Sequence, residues 1–530
     1  MAKRAEKQSK TSETDPPVPP ANWDRCHVYL QRKGRFCKQF PYPGSTYCGN
    51  HIHLLDNHVD AVRKRIPCPV DPSHIIFQDQ VEKHKLICPK VKKQREQQEK
   101  PYFRRSINLG GHGSLGGSRT REQTVQWAQQ LALKVLQLHQ TIYTGTSPEN
   151  VRLLTQEDIY NAIPMKDLSQ PEMEAGLPEA VEAYRIKSGG HRHLLQQASL
   201  VGHLRRIGVL PALNTSTDDD TIFLEMGAGR GMLGLVAAGV ASASNSSKVC
   251  LALVERAGSR SKADNVLRTD RAQSDHDQKY MKLKTLEWTR IQCDLAHIHM
   301  PTVVHQYTQS HSLHVAGEKR KERPARPKVV VIAKHLCGAG TDLALKSLRD
   351  VSQEVDACVM ATCCHGVCCW SEYVGRDYLC EAFRKHDLDF GEHEFELLRR
   401  WSTGTICSMA KEGVSEDRET AELAPSEDAT EEHTTCWEDV SKDVFTLSAI
   451  VDQIGLICDV QGVGTACQRL LDYGRCKYME NELNFGGTGD QSSATCNVEL
   501  CHYVPASITP QNAILVSYKA LAVECSDSFV

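Results

Sequence analysis

The sequence predicts an α/β protein, with a doubly wound domain over residues 181–530 preceded by two small Cys/His modules. Three observations predict it. Runs rich in β-branched residues and leucine at Thr221–Leu224, Lys248–Val254, Lys328–Ala333 and Val355–Met360 alternate with helical stretches, the order of parallel βαβ units. A glycine-rich turn, Gly227-Ala228-Gly229-Arg230-Gly231, follows the first of these strands and opens a helix. Cysteines and histidines recur at metal-ligand spacings inside residues 23–92. The 530 residues suffice for about three domains at ~150 residues each. Apolar runs such as Val329–Ala333 fall far short of the ~20 residues of a membrane span.

From the N-terminus, residues 1–22 read as a disordered polar tail without a secretory leader's apolar stretch. Residues 1–105 hold 21 Lys and Arg against 11 Asp and Glu, while the whole chain has a formal charge of −3. A basic leading segment on an acidic body suits contact with phosphate. The first module, residues 23–55, is Cys26-x10-Cys37-x10-Cys48-x2-His51, with His53 as rival to His51. The second, residues 64–92, is Cys68-x5-His74-x9-His84-x3-Cys88, whose last two ligands share one helical face. Each offers four ligands and no open position, so each predicts a structural Zn2+. With 22 cysteines in a long chain, these uses point to a reducing nucleus or cytoplasm rather than secretion. Residues 93–120 read as a basic and Gly-rich linker, with a hinge at Leu109–Gly117, and residues 121–180 as helical, with the stripe Leu131, Val135, Leu138, Ile142 packing into a core. Polar stretches near 308–327 and 411–440 read as mobile insertions.

The glycine turn alone fits several nucleotide-like ligands. Acids decide its reading. Glu225 precedes the first glycine by two residues, Glu255 ends the next strand, and Asp294 follows Ile291-Gln292-Cys293. Such carboxylates suit the cationic amino-acid part, the ribose hydroxyls and the adenine amino group of S-adenosyl-L-methionine, with Gly227, Gly229 and Gly231 giving the backbone room. Ligands of doubly wound, Rossmann-like sheets bind beyond the carboxyl ends of the strands. There Lys334 and His335 are the acid/base candidates. The Cys363–Cys369 cluster could hold a metal, supply a nucleophile or pack; packing and shaping of a substrate loop is the preferred reading.

With these residues in hand, the chain resembles the eukaryotic tRNA acceptor-stem 2′-O-methyltransferases that act on the ribose at position 4. The resemblance covers most of the chain. It runs through both Cys/His fingers, Arg192-His193-Leu194-Leu195-Gln196-Gln197-Ala198-Ser199, the Glu225–Gly231 turn and Leu253-Val254-Glu255-Arg256. It is most specific at Lys334-His335-Leu336-Cys337-Gly338 with Thr341-Asp342-Leu343-Ala344-Leu345, and returns at Tyr373-Val374-Gly375 and Arg469-Leu470-Leu471-Asp472-Tyr473-Gly474-Arg475. The second finger by itself also resembles those of minor-spliceosome and gametocyte RNA-binding factors. The chain departs from the family pattern at Gly366, where a second histidine is usual, and at Cys369, where an acid is frequent.

The resemblance implies a Rossmann-like methyltransferase domain and a tRNA acceptor stem as partner; no obligate protein partner is evident in the sequence. It implies methyl transfer to a ribose hydroxyl, with Lys334 or His335 handling the proton and Arg469 and Arg475 gripping backbone phosphate. Two other functions compete: base methylation through Cys363 or Cys364 as covalent nucleophile, and a non-catalytic RNA-binding scaffold.

Overall fold

The computed structural model describes residues 18–20, 22–30, 34–42, 44–48, 51, 65–110, 121–145, 155–175, 191–213, 215, 219–244, 248–257, 286–315, 326–403, 460–483 and 496–519. Almost all of the tail, most of the glycine hinge, the 411–440 insertion and His53 lie outside the described residues. The chain divides into two compact units, Met1–Lys100 and Pro101–Val530.

In the first unit, β1 (Tyr29–Leu30) pairs antiparallel with β2 (Arg35–Phe36), and β3 (Arg65–Pro67) with β4 (Ile75–Phe77). A helix, Val81–Ile87, follows β4 and is succeeded by Pro89–Gln98, which starts on a proline whose missing N–H costs nothing at a first helical position. Among the described residues, the cores are the cysteines themselves with a few partners: Val28, Leu30 and Tyr47 in the first module, Ile66, Ile76, Val70, Val81 and Val91 in the second. So small a core needs another source of stability.

The second unit is built on a seven-stranded sheet. Five strands run parallel: β5 (Thr221–Met226), β6 (Val249–Glu255), β7 (Leu286–Gln292), β8 (Lys328–Lys334) and β9 (Ala357–Ala361). Strand β5 is central, with Leu224 opposite Ala252 of β6 and Val331 of β8. Two strands absent from the expected set, β10 (Cys496–His502) and β11 (Ala513–Lys519), complete the order β10-β11-β9-β8-β5-β6-β7, with β11 antiparallel to both neighbours.

Alternation along β5 explains the layers. Phe223 joins the core under helices His191–Arg206 and Met232–Ser244, whereas Ile222, Leu224 and Met226 face the core under Met300–Val315 and Gly340–Leu348. Both faces are therefore covered, which is why the parallel strands read as continuous apolar runs. A third core packs helix Arg121–Thr144 against Arg376–Arg384, Glu392–Trp401 and Val460–Glu482; Leu131, Val135 and Leu138 are buried in it, with Ile142 packed against it.

Two expectations need correction. Residues 308–315 belong to no insertion: they are the last turns of helix Met300–Val315. Residues 93–120 are not one linker. Helix Pro89–Gln98 takes the first part, and Pro101–Gly110 packs on the sheet unit, where Asn108 Nδ2 donates to the carbonyls of Leu295 (2.6 Å) and Ile298 (2.9 Å). The Asn108 amide so satisfies two buried acceptors that a mobile linker would leave unpaired.

Candidate active site

The strand order reverses at β5: the chain proceeds outward through β6 and β7 on one side and through β8 and β9 on the other. At such a switch point the loops leaving the two central strands diverge and a crevice forms beyond their carboxyl ends. Gly227, Gly229 and Gly231 all have positive φ, at 61°, 47° and 69°. Gly227 also lacks space, since a Cβ there would collide with Cδ2 of Leu336 in the loop after β8. Nothing lies within 4 Å of the Cβ position of Gly229, so that side of the turn is open.

The acids are placed at three neighbouring strands. The Glu255 carboxylate accepts from the Gly229 N–H (2.8 Å) and the Ala257 N–H (3.0 Å), tying the end of β6 to the turn after β5. Arg290 of β7 donates to the Gly229 carbonyl (3.1 Å). Asp294 is half-buried just past β7 and accepts from the Ala296 N–H (2.9 Å). Glu225 differs from the other two. It is buried, and its carboxylate accepts from the Gly234 N–H (2.9 Å) inside the first turn of the following helix. Burial pushes its carboxyl up to about 8, against the pull of that N–H and of Arg290 and Lys334.

On the other side of the switch point, Lys334 ends β8 and is 8% exposed. Burial lowers its ammonium to about 8, with Glu225 opposing the shift. His335 is exposed and has a left-handed backbone, φ 68°. The His193 ring stands edge-on to it, with centroids 6.4 Å apart. His193 was visible beforehand only as part of a motif, because nothing in its spacing links it to position 335.

The Cys363–Cys369 cluster comes apart in space. Cys363 and Cys364 gather with Cys337. Cys368 is buried with its sulfur 3.0 Å from Arg475 Nη2, and burial pushes its thiol up to about 12. Cys369 is exposed beside the Ser371 hydroxyl (3.1 Å). At Gly366, the departure from the family pattern, an added Cβ would meet the Thr403 methyl, so a histidine there requires that side chain to move.

Arg469 and Arg475 do not lie at a surface where they could grip phosphate. They are 2% and 1% exposed. Arg475 donates to Asp342 (2.8 and 3.1 Å) and to Asp472 (3.1 Å). Asp472 also bonds His365 Nε2 (2.9 Å) and accepts from the Thr362 hydroxyl (3.0 Å). This buried network fastens the loop after β9 to helices Gly340–Leu348 and Val460–Glu482. Arg475 has its donors committed inside the core and Arg469 is enclosed there as well, so neither reaches a nucleic acid.

In the N-terminal unit the four residues of each module converge. The ligand atoms of Cys26, Cys37, Cys48 and His51 all lie within 4.8 Å of one another, as do those of Cys68, His74, His84 and Cys88. His51 Nδ1 is 3.3 Å from the sulfurs of both Cys26 and Cys48, and the Cys37 and Cys48 sulfurs are 4.0 Å apart. In the second module the Cys68 and Cys88 sulfurs are 3.8 Å apart, and the two imidazole Nε2 atoms 2.9 Å. Soft and borderline donors crowded at this spacing form the donor set of a tetrahedral zinc ion.

Three family models match stretches of the chain. The family model described as Methyltransferase TRM13 matches residues 195–518, more than half of the chain. Residues 24–52 match the CCCH zinc finger in TRM13 protein, and residues 65–89 the U11-48K-like CHHC zinc finger. The chain is similar to the mouse tRNA:m(4)X modification enzyme TRM13 homolog, with 26% identity over 86% of this chain and 89% of the relative. It is 22% identical to the Saccharomyces cerevisiae tRNA:m(4)X modification enzyme TRM13 over 93% of this chain and 96% of the relative. A rice protein of the same description is 31% identical over 39% of this chain and 81% of its own length. The chain belongs to the TRM13 methyltransferase family and carries that family's CCCH and CHHC zinc fingers at its N-terminal end.

Proposed function

We propose that this protein transfers a methyl group from S-adenosyl-L-methionine to the ribose 2′-hydroxyl at position 4 of a tRNA acceptor stem. The observation that carries the reading is the meeting, at one switch point, of an open glycine turn, carboxylates at three adjacent strand ends and a desolvated lysine. Glu255 suits the ribose hydroxyls of the methyl donor and Asp294 its adenine amino group. Gly227, Gly229 and Gly231 let the main chain approach it, and Glu225, from beneath, holds the helix start that closes the turn. The sheet is read as Rossmann-like on the same ground. The relatives' descriptions as tRNA modification enzymes support a tRNA substrate.

A ribose hydroxyl is a poor nucleophile near neutral pH, so the enzyme must orient it in line with the methyl and take up its proton. Lys334 is the candidate general base, because desolvation makes its neutral amine accessible near pH 8; His335, at the mouth, orients the ribose. Each finger holds a structural Zn2+ and places the RNA helix by contacts to its backbone and shape. Incubation of the full chain with labelled S-adenosyl-L-methionine and bulk tRNA tests the reading. Label should appear in one acceptor-stem nucleotide, with the adjacent phosphodiester resistant to nuclease and alkali. Label in a base, with normal cleavage beside it, would contradict ribose chemistry and favour a cysteine nucleophile.

A further inference from the structure

We propose that Cys337, Cys363 and Cys364 bind a third metal ion, a divalent thiophilic ion of the zinc class, beside the crevice and with its fourth coordination position open. The proposal stands on side-chain placement and does not depend on which reaction the crevice carries out. The three sulfurs lie within 4.8 Å of one another, with Cys337 3.9 Å from Cys363 and 3.1 Å from Cys364. Sulfurs bonded to one tetrahedral zinc at ~2.3 Å sit about 3.8 Å apart; Cys337 and Cys363 match this at 3.9 Å, as do the finger pairs at 4.0 and 3.8 Å, whereas Cys337 and Cys364, at 3.1 Å, must open to take the ion.

The backbone is bent to achieve this. Neighbouring side chains on an extended strand point to opposite faces, so Cys363 and Cys364 would ordinarily diverge. Cys364 instead adopts φ 35°, a left-handed conformation rare for a residue with a Cβ, and both thiols reach Cys337. His335, in the loop that carries Cys337, is left-handed too, at 68°. Strain concentrated in two facing loops is a mark of a functional site.

Among the described residues, no fourth cysteine, histidine or carboxylate joins the group. Cys337 is exposed and Cys364 half-buried, so an ion can enter and its remaining position faces solvent. Three protein ligands with an open place distinguish this site from the closed fingers. Binding releases the thiol protons to solvent and fastens the loop after β8 to the loop after β9. Those loops carry His335 and Thr362 and begin beside Lys334, the last residue of β8, and Leu336 among them packs on Gly227. The site was hidden in the sequence because its third ligand belongs to a different motif from the Cys363–Cys369 cluster.

The test is the metal content of the full-length chain, purified under reducing conditions with zinc and dialysed into metal-free buffer. Mass-spectrometric metal analysis should give three ions per chain. Cys337→Ser and Cys364→Ser should each give two, and Cys68→Ser should independently remove one finger ion. Cobalt exchange should show a thiolate-to-cobalt band that shrinks in Cys337→Ser. Two ions in the wild-type chain, or three retained in Cys337→Ser, would overturn the proposal, as would a Cys337–Cys364 disulfide with two ions. Since Cys337 is exposed, its serine variant leaves the core untouched, and the wild-type count decides the matter even if Cys364→Ser misfolds.

Discussion

Replacing Lys334 with alanine should lower methyl transfer by about 10²–10⁴-fold, the usual contribution of a positioned acid or base, with the methyl donor still bound. The pH profile carries the finer expectation. Burial brings Lys334 to about 8, so the ammonium, which cannot accept a proton, dominates below that pH. Activity should rise about tenfold per pH unit toward 8 and level off above it. Lys334→Arg should be as inactive as alanine, because a guanidinium keeps its proton at all accessible pH. His335→Ala should retain the rising limb at a lower plateau, since its exposed ring only orients the ribose. A rising limb that survives in Lys334→Ala would assign the titration to another group.

Cys88→Ser should undo the second finger. Cys68 and Cys88 are fully buried, and around them the module has only a few small apolar contacts. In such modules the metal supplies roughly 10–16 kcal/mol of apparent folding free energy at pH 7. The variant chain should lose one metal ion, and limited proteolysis should cut within residues 65–88, which resist it in the wild type. Its tRNA affinity should fall and depend less steeply on salt, because Lys83, Lys85, Lys92 and Lys93 no longer present their charges together. An unchanged metal count with full protease resistance would mean that Cys88 is not a ligand.

What could be read from the sequence was local. The finger ligands stand within 25 residues of their partners, and the Glu225–Gly231 turn is a contiguous word whose residue types answer to backbone geometry. The helical stripe through Leu131, Val135 and Leu138 carries its own period. What escaped was made by distance. Arg475 and Asp342 are 133 positions apart, and their pairing turns an apparently available cation into a buried strut. The helix Val460–Glu482 obscured this, because it is enclosed on nearly every side and so shows little amphipathic contrast. Cys337 and Cys364 are likewise neighbours only because β8 and β9 are. Strand β10 follows a long polar stretch, and the order of strands in a sheet is not written in any one of them.

In the proposed function, the crevice between the β5 and β8 loops binds the methyl donor through Glu255 and Asp294. Calorimetry with S-adenosyl-L-methionine is the decisive measurement. Saturable 1:1 binding to the full chain is expected, and binding at least ~10-fold weaker in Glu255→Gln and in Asp294→Ala, each losing a charge-assisted hydrogen bond of about 1.5–3 kcal/mol. Lys334→Ala should bind as the wild type does. Absence of binding by the wild-type chain, or equal affinity in all four proteins, would contradict it.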